Sequence, residues 1–134
     1  MKEKNYNLFI SASTIIQNIE GVKEVIVKMS NIYNIYILTK KDEYSPTKEF
    51  LEKEQILEYC LVLEKESSSF QLEKGINIGL VDNSMTELKT DLEMGFICLG
   101  VLFSQDKKKT KTQHLNDEIK TAYDWFEVAE KFIR

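Results

Sequence analysis

At 134 residues and 43% hydrophobic content, the chain can close one core and is too small for several. Its 18 basic and 22 acidic residues leave a formal net charge of -4, which argues against nucleic acid as the main partner, because phosphate binding wants a cationic face. No run approaches the roughly 18 apolar residues of a membrane span, and the opening Met1–Asn7 is polar and mixed in charge, unlike a signal peptide; a cytoplasmic protein with no membrane partner is expected.

In chain order, Leu8–Ile10 is the first short apolar run. Val22, Val25, Ile26 and Met29 follow at i, i+3, i+4, i+7, one buried helix stripe. Ile35–Leu38 is the second run. Ser45-Pro46 reads as an N-cap with proline at the first helical position, and Phe50 and Leu51 supply that helix's buried face. Cys60–Leu63 is the third run. A weak helix over Ser67–Glu73 stops near Gly75, and Ile76–Val81 is the fourth run. Met85, Leu88 and Leu92 line a helix ending at Gly95, followed by the run Phe96–Phe103. Ser104–Asn116, with Lys107, Lys108, Lys109 and Lys111, reads as a solvated loop. A short strand near Thr121–Asp124 precedes a final helix that buries Phe126, Ala129 and Ile133.

Near-continuous apolar runs are what strands covered on both faces require. Their strict alternation with helices implies an α/β fold, a single Rossmann-like three-layer α/β/α domain over residues 1–134 with a mainly parallel sheet. Cys60 and Cys98 lie in apolar runs without Cys-x-x-Cys spacing and read as buried free thiols. The single His114 lies in the polar loop, which excludes a histidine triad or cluster. Tyr33, Tyr36, Tyr59 and Trp125 read as core or rim aromatics.

Ligands of such sheets bind at the carboxyl ends of strands. The residues there are Ser11 and Ser13, Thr39, the Glu64-Lys65 pair, and Asp82 with Glu87 after it. Each has a bland explanation. The serines suit any loop, Asp82 suits a helix cap, Glu87 complements a helix dipole, and Lys65 suits a solvated surface. Together they have the order of groups that phosphoryl transfer through an aspartyl-phosphate requires: a nucleophile and an acid/base two residues on, then a hydroxyl, a lysine and metal-side acids.

Asn7–Ile16, Asn-Leu-Phe-Ile-Ser-Ala-Ser-Thr-Ile-Ile, resembles the first motif of the haloacid dehalogenase-like superfamily, normally Asp-x-Asp-Gly-Thr after a strand. Gly21-Val22-Lys23-Glu24-Val25 resembles that family's helix opening with a Gly-Val turn, and Ile35-Tyr36-Ile37-Leu38-Thr39-Lys40 its second motif, a strand ending in Thr or Ser. Val81-Asp82-Asn83-Ser84-Met85-Thr86-Glu87 is similar to its fourth motif, and Ala122–Val128 to its closing strand and helix. The resemblance implies strand order 5-4-1-2-3. It assigns Ser11 to the nucleophile's place, Ser13 to the acid/base, Thr39 and Lys65 (Lys74 being the rival) to phosphoryl binding, and Asp82 and Glu87 to the metal.

The departures decide the expected function. Serine is neutral and needs a base that Ser13 cannot supply. Two lost carboxylates leave Asp82 and Glu87 to hold Mg²⁺ weakly if at all. Only Thr14–Glu20 separates the first motif from Gly21, too little for a cap domain. The expectation is a cap-less pseudoenzyme that binds or regulates, with a phosphate or phosphorylated small molecule held without turnover. The alternatives are an active Mg²⁺-dependent phosphatase with an unconventional nucleophile, and a structural subunit contacting a protein partner.

Overall fold

The computed structural model describes residues 5–17, 19–64, 76–104 and 119–132. The elements are β1 (Tyr6–Ser11), α1 (Ala12–Gln17), α2 (Val22–Ser30), β2 (Asn34–Thr39), α3 (Tyr44–Lys53), β3 (Cys60–Glu64), β4 (Ile76–Asp82), α4 (Met85–Glu93), β5 (Leu99–Phe103), β6 (Ile119–Ala122) and α5 (Trp125–Phe132), with 3-10 turns at Lys41–Glu43 and Leu57–Tyr59. The strands form one sheet in the order β3-β2-β1-β4-β5-β6, every neighbouring pair parallel. The expected order of the first five strands is present, and β6 extends the sheet beyond β5.

Alternation along each strand sends side chains to two cores. On one face Leu8, Ile10, Ile37, Val81 and Val101 pack with residues of α1, α2, α3 and α5. On the other, Phe9, Leu38, Leu80 and Leu102 pack with Leu88 of α4. Leu8, Phe9 and Ile10 are fully buried, as a central parallel strand should be. The stripe expected in α2 is the buried one: Val22, Val25, Ile26 and Met29.

An asparagine ladder crosses the amino end of the central strands. Asn34 Nδ2 donates to Asn7 Oδ1 at 2.9 Å, and Asn7 Nδ2 donates to Asn77 Oδ1 at 3.1 Å. These residues are register partners, so a one-residue slip of β2 or β4 breaks the ladder. A bulge follows at once, with Asn7 opposite Asn77 but Leu8 opposite Gly79. Gly79 is required there, since a Cβ would lie 2.6 Å from the Leu99 carbonyl oxygen. The Tyr33 hydroxyl donates to the Phe132 carbonyl and joins the end of α2 to the end of α5. Burial, and then the Tyr6 phenol, holds that hydroxyl above the usual tyrosine range.

Several boundaries differ from the sequence reading. Ser45 is not an N-cap: α3 begins at Tyr44, continuing a 3-10 turn in which the Lys40 N–H donates to Glu43 Oε1 at 2.8 Å. Pro46 still sits in the first turn, where its missing N–H leaves no vacancy. Phe96–Cys98 is not strand. Gly95, at φ +77°, turns the chain after α4, and Ile97 fills the second core from a loop. The last strand ends at Ala122, before Asp124, whose carboxylate accepts the Glu127 N–H at 2.8 Å and caps α5. The buried stripe of α5 is Trp125, Val128, Ala129 and Phe132, so Phe126 faces solvent and Ile133 lies outside the described residues. Cys98 is exposed and Cys60 half-buried, against the expectation of two buried thiols. Tyr33 and Trp125 are core, Tyr36 stacks on Phe9 at 5.3 Å, and Tyr59 lies at the rim. The helix expected over Ser67–Glu73, Lys74, the Lys107–Lys111 stretch and His114 lie outside the described residues.

Two substitutions test these energetics by urea unfolding. Asn7→Ala removes both ladder bonds from a fully buried position and is expected to lower stability by about 2 kcal/mol. Thr47 is fully buried with its hydroxyl unpartnered, so the isosteric Thr47→Val is expected to raise stability by about 1 kcal/mol.

Candidate functional site

Strand order reverses at β1: the chain steps through β2 and β3 on one side, then returns to β4 on the other. The crevice at such a switch point, at the carboxyl ends of the strands, is where open α/β sheets receive ligands. Here a cleft of about 170 Å³ occupies it. Ser11, Ser13, Thr39, Asp82 and Glu87, all singled out from the sequence, line it together. Lys65 lies outside the described residues; its neighbour Glu64 ends β3 opposite Thr39.

Local structure aims these side chains. Ser11 is the last residue of β1, and α1 starts at the next residue, so Ser11 and Ser13 share one turn. The Thr14 hydroxyl donates to the Ser11 carbonyl at 2.6 Å and fixes that turn. The two serine Oγ atoms are 3.0 Å apart. The Ser13 hydroxyl also bonds Asn83 Oδ1 at 3.3 Å, and Asn83 Nδ2 donates to Gln17 Oε1 at 3.3 Å. The hydroxyl pair is thus tied to the loop after β4. Thr39 is buried, and its hydroxyl donates to the Leu63 carbonyl at 3.2 Å.

Asp82 is 5% exposed, and its Oδ1 accepts the Ser84 N–H at 3.1 Å. Ser84, not Asp82, is the N-cap of α4: its hydroxyl accepts the Glu87 N–H at 3.3 Å. Asp82 therefore shapes the loop while lining the cleft. Lys40 and Glu43 also line the cleft and were not singled out from the sequence. Their three-residue spacing was the available signal, since Glu43 reaches back to the Lys40 N–H as the third residue of a capped turn does.

The described lining residues carry three carboxylates, Glu43, Asp82 and Glu87, against the Lys40 ammonium. That balance opposes a bare phosphate dianion. It does not amount to a magnesium shell either. Among the described residues no three His, Cys, Asp or Glu side chains come together to hold a metal ion. At the end of β1 the lining offers serine hydroxyls and no carboxylate, and Mg²⁺ demands near-octahedral oxygen ligands at close range. The residues present do not fit the ion that the family resemblance implies.

A larger concavity, about 450 Å³, lies at the opposite end of β2 and β3, beside Tyr33, Asn34 and Cys60. It gathers no convergent set of strand-end groups, so volume alone does not mark the site. Burial pushes the Cys60 thiol up to about 11, and its Sγ contacts the Ile56 carbonyl at 3.6 Å. At neutral pH it is a protonated, unreactive group.

No protein-family model, curated protein or solved structure matches the chain. Among the described residues no helix is long and apolar enough to cross a membrane.

Titration of the native protein with a disulfide reagent tests the assignment of the two thiols. At pH 8 the exposed Cys98 is expected to react fast and Cys60 slowly, with the Cys60 rate climbing as pH approaches 11; after denaturation both react alike.

Proposed function

We propose that the chain is a non-catalytic ligand-binding or regulatory module built on a haloacid dehalogenase-like plan. Its strand-end cleft holds a small polar ligand without covalent turnover. The observation that carries this reading is the Ser11–Ser13 hydroxyl pair at the end of β1, beside Asp82 and Thr39. A serine nucleophile needs a base, and the hydrogen-bond partner of Ser11 Oγ is another neutral hydroxyl. Proton abstraction has no starting point in that pair.

The charge of the described lining favours a neutral, hydroxyl-rich ligand over a free phosphate dianion. Hydroxyls and the Asn83 amide can both donate and accept, which suits a polyol or a sugar-like group. Binding of a phosphorylated small molecule, the ligand class that the resemblance implies, needs more positive charge than Lys40 supplies among the described lining residues. The active-phosphatase reading requires a base for Ser11 and a held magnesium ion; the bond of Ser11 Oγ to the Ser13 hydroxyl and the lack of a metal-holding cluster among the described residues speak against it.

Turnover and binding separate these readings. With aryl phosphates and small phosphomonoesters plus millimolar Mg²⁺, the protein is expected to release no phosphate above background. Release that disappears in Asp82→Ala would overturn the non-catalytic reading. Thermal shift against neutral polyols, inorganic phosphate and Mg²⁺ is expected to give concentration-dependent stabilisation with a polyol and little with phosphate or Mg²⁺ alone. In calorimetry, Ser11→Asp/Ser13→Asp is expected to gain Mg²⁺ affinity over the parent chain, because it restores two carboxylates beside Asp82.

A further inference from the structure

Away from the cleft, an apolar surface surrounds Phe126. This side chain is 57% exposed on α5, and its ring lies against the Gly21 backbone, where a Cβ would come within 3.2 Å. Gly21, at φ +86°, makes the left-handed turn into α2 that leaves room for the ring. Two hollows flank Phe126. One, about 300 Å³, is lined by Ile19, Phe103 and Trp125; the other, about 320 Å³, lies between α2 and α5 over Val25 and Ala129. Ile19 is itself 58% exposed. An exposed aromatic between two concavities, next to a second exposed aliphatic, has the anatomy of an anchor site.

Among the described lining residues the rim is charged with one dominant sign. Glu20 and Asp124 edge the first hollow and Glu24 and Glu130 the second, against Lys28. A second copy of this chain, meeting the surface across a two-fold axis, would set that acidic rim against itself. A partner strand would find no sheet edge to extend, because the surface is formed by the helices α2 and α5 and the turns that precede them. The occupant that matches is an amphipathic helix with apolar anchors and lysine or arginine flanks.

We propose that the Phe126 surface is a docking site for a basic amphipathic helical segment of a partner protein. It stands apart from the cleft reading, using neither Ser11 nor Asp82. Gln17 joins the two places, since it lines the Ile19 hollow and accepts the Asn83 amide at the cleft. A docked segment would therefore sit two hydrogen-bonded side chains, Gln17 and Asn83, away from the hydroxyl pair.

Fluorescence anisotropy of the full chain with a labelled leucine/lysine peptide, its leucines at i, i+3, i+4 and i+7, tests the proposal against a leucine/glutamate peptide of the same pattern. The lysine peptide is expected to bind and the glutamate peptide not. Phe126→Ser and Ile19→Ser are each expected to weaken binding about tenfold or more, and added salt to weaken it further. Both side chains are exposed, so circular dichroism should show the parent fold in each variant. Equal binding of the two peptides, or lysine-peptide binding unchanged in both variants, overturns the proposal. So does light scattering that shows a dimer of the chain dissolved by Phe126→Ser.

Discussion

Everything at the functional end of this fold depends on the register of β1 between β2 and β4. In a parallel sheet the last residue of each strand reaches the rim only if the strands start level, and a one-residue slip turns every side chain to the wrong face. The Asn34–Asn7–Asn77 ladder sets that level at the opposite end. Counting up from it, Ser11 pairs with Leu38, and Ile10 with Val81, so Ser11 emerges between Thr39 and Asp82. A polar ladder buried at one end thus positions a polar cleft at the other. The intervening Leu8, Phe9 and Ile10 contribute burial, which has no directional preference; the amide bonds contribute the directionality.

The cleft gathers polar groups from the ends of three strands, β1, β2 and β4. Strand ends, a turn straight into α1, and a capped α4 gather hydroxyls and a carboxylate at one point. Two of the groups are neutral where covalent phosphoryl chemistry needs charge. The consequences run together, because a pair of neutral hydroxyls supplies neither an ionised nucleophile, nor an acid/base, nor carboxylate oxygens for a metal shell. Asp82 and Ser84 remain employed in the structure, holding the loop before α4 and its first turn. These bonds give Asp82 and Ser84 a structural role, which is why the hydroxyl pair, and not Asp82, carries the proposed reading.

The strands and the face of α2 were legible because burial imposes a period on sequence. Val22, Val25, Ile26 and Met29 can only line one side of a helix, and runs such as Leu8–Ile10 can only be covered strands. Legibility failed where several apolar residues compete. In Trp125-Phe126 either aromatic begins a plausible stripe, and packing against Phe103, at 4.8 Å between rings, selects Trp125 and leaves Phe126 outside. Phe96–Cys98 looks like strand because it is apolar, yet the turn at Gly95 uses it as loop. Lys40 and Glu43 escaped notice because a capped 3-10 turn has almost no hydrophobic signature.

The amino-acid order by itself determined an α/β alternation and the ends of the first four strands at Ser11, Thr39, Glu64 and Asp82, since hydrophobic period and chain punctuation are local properties. Only the tertiary structure decided that those ends converge, that Asn83 bridges Ser13 to Gln17, that Phe126 stands exposed, and that the cleft's described charge is mainly negative. Those outcomes depend on contacts between residues dozens of positions apart, and register, not propensity, sets them.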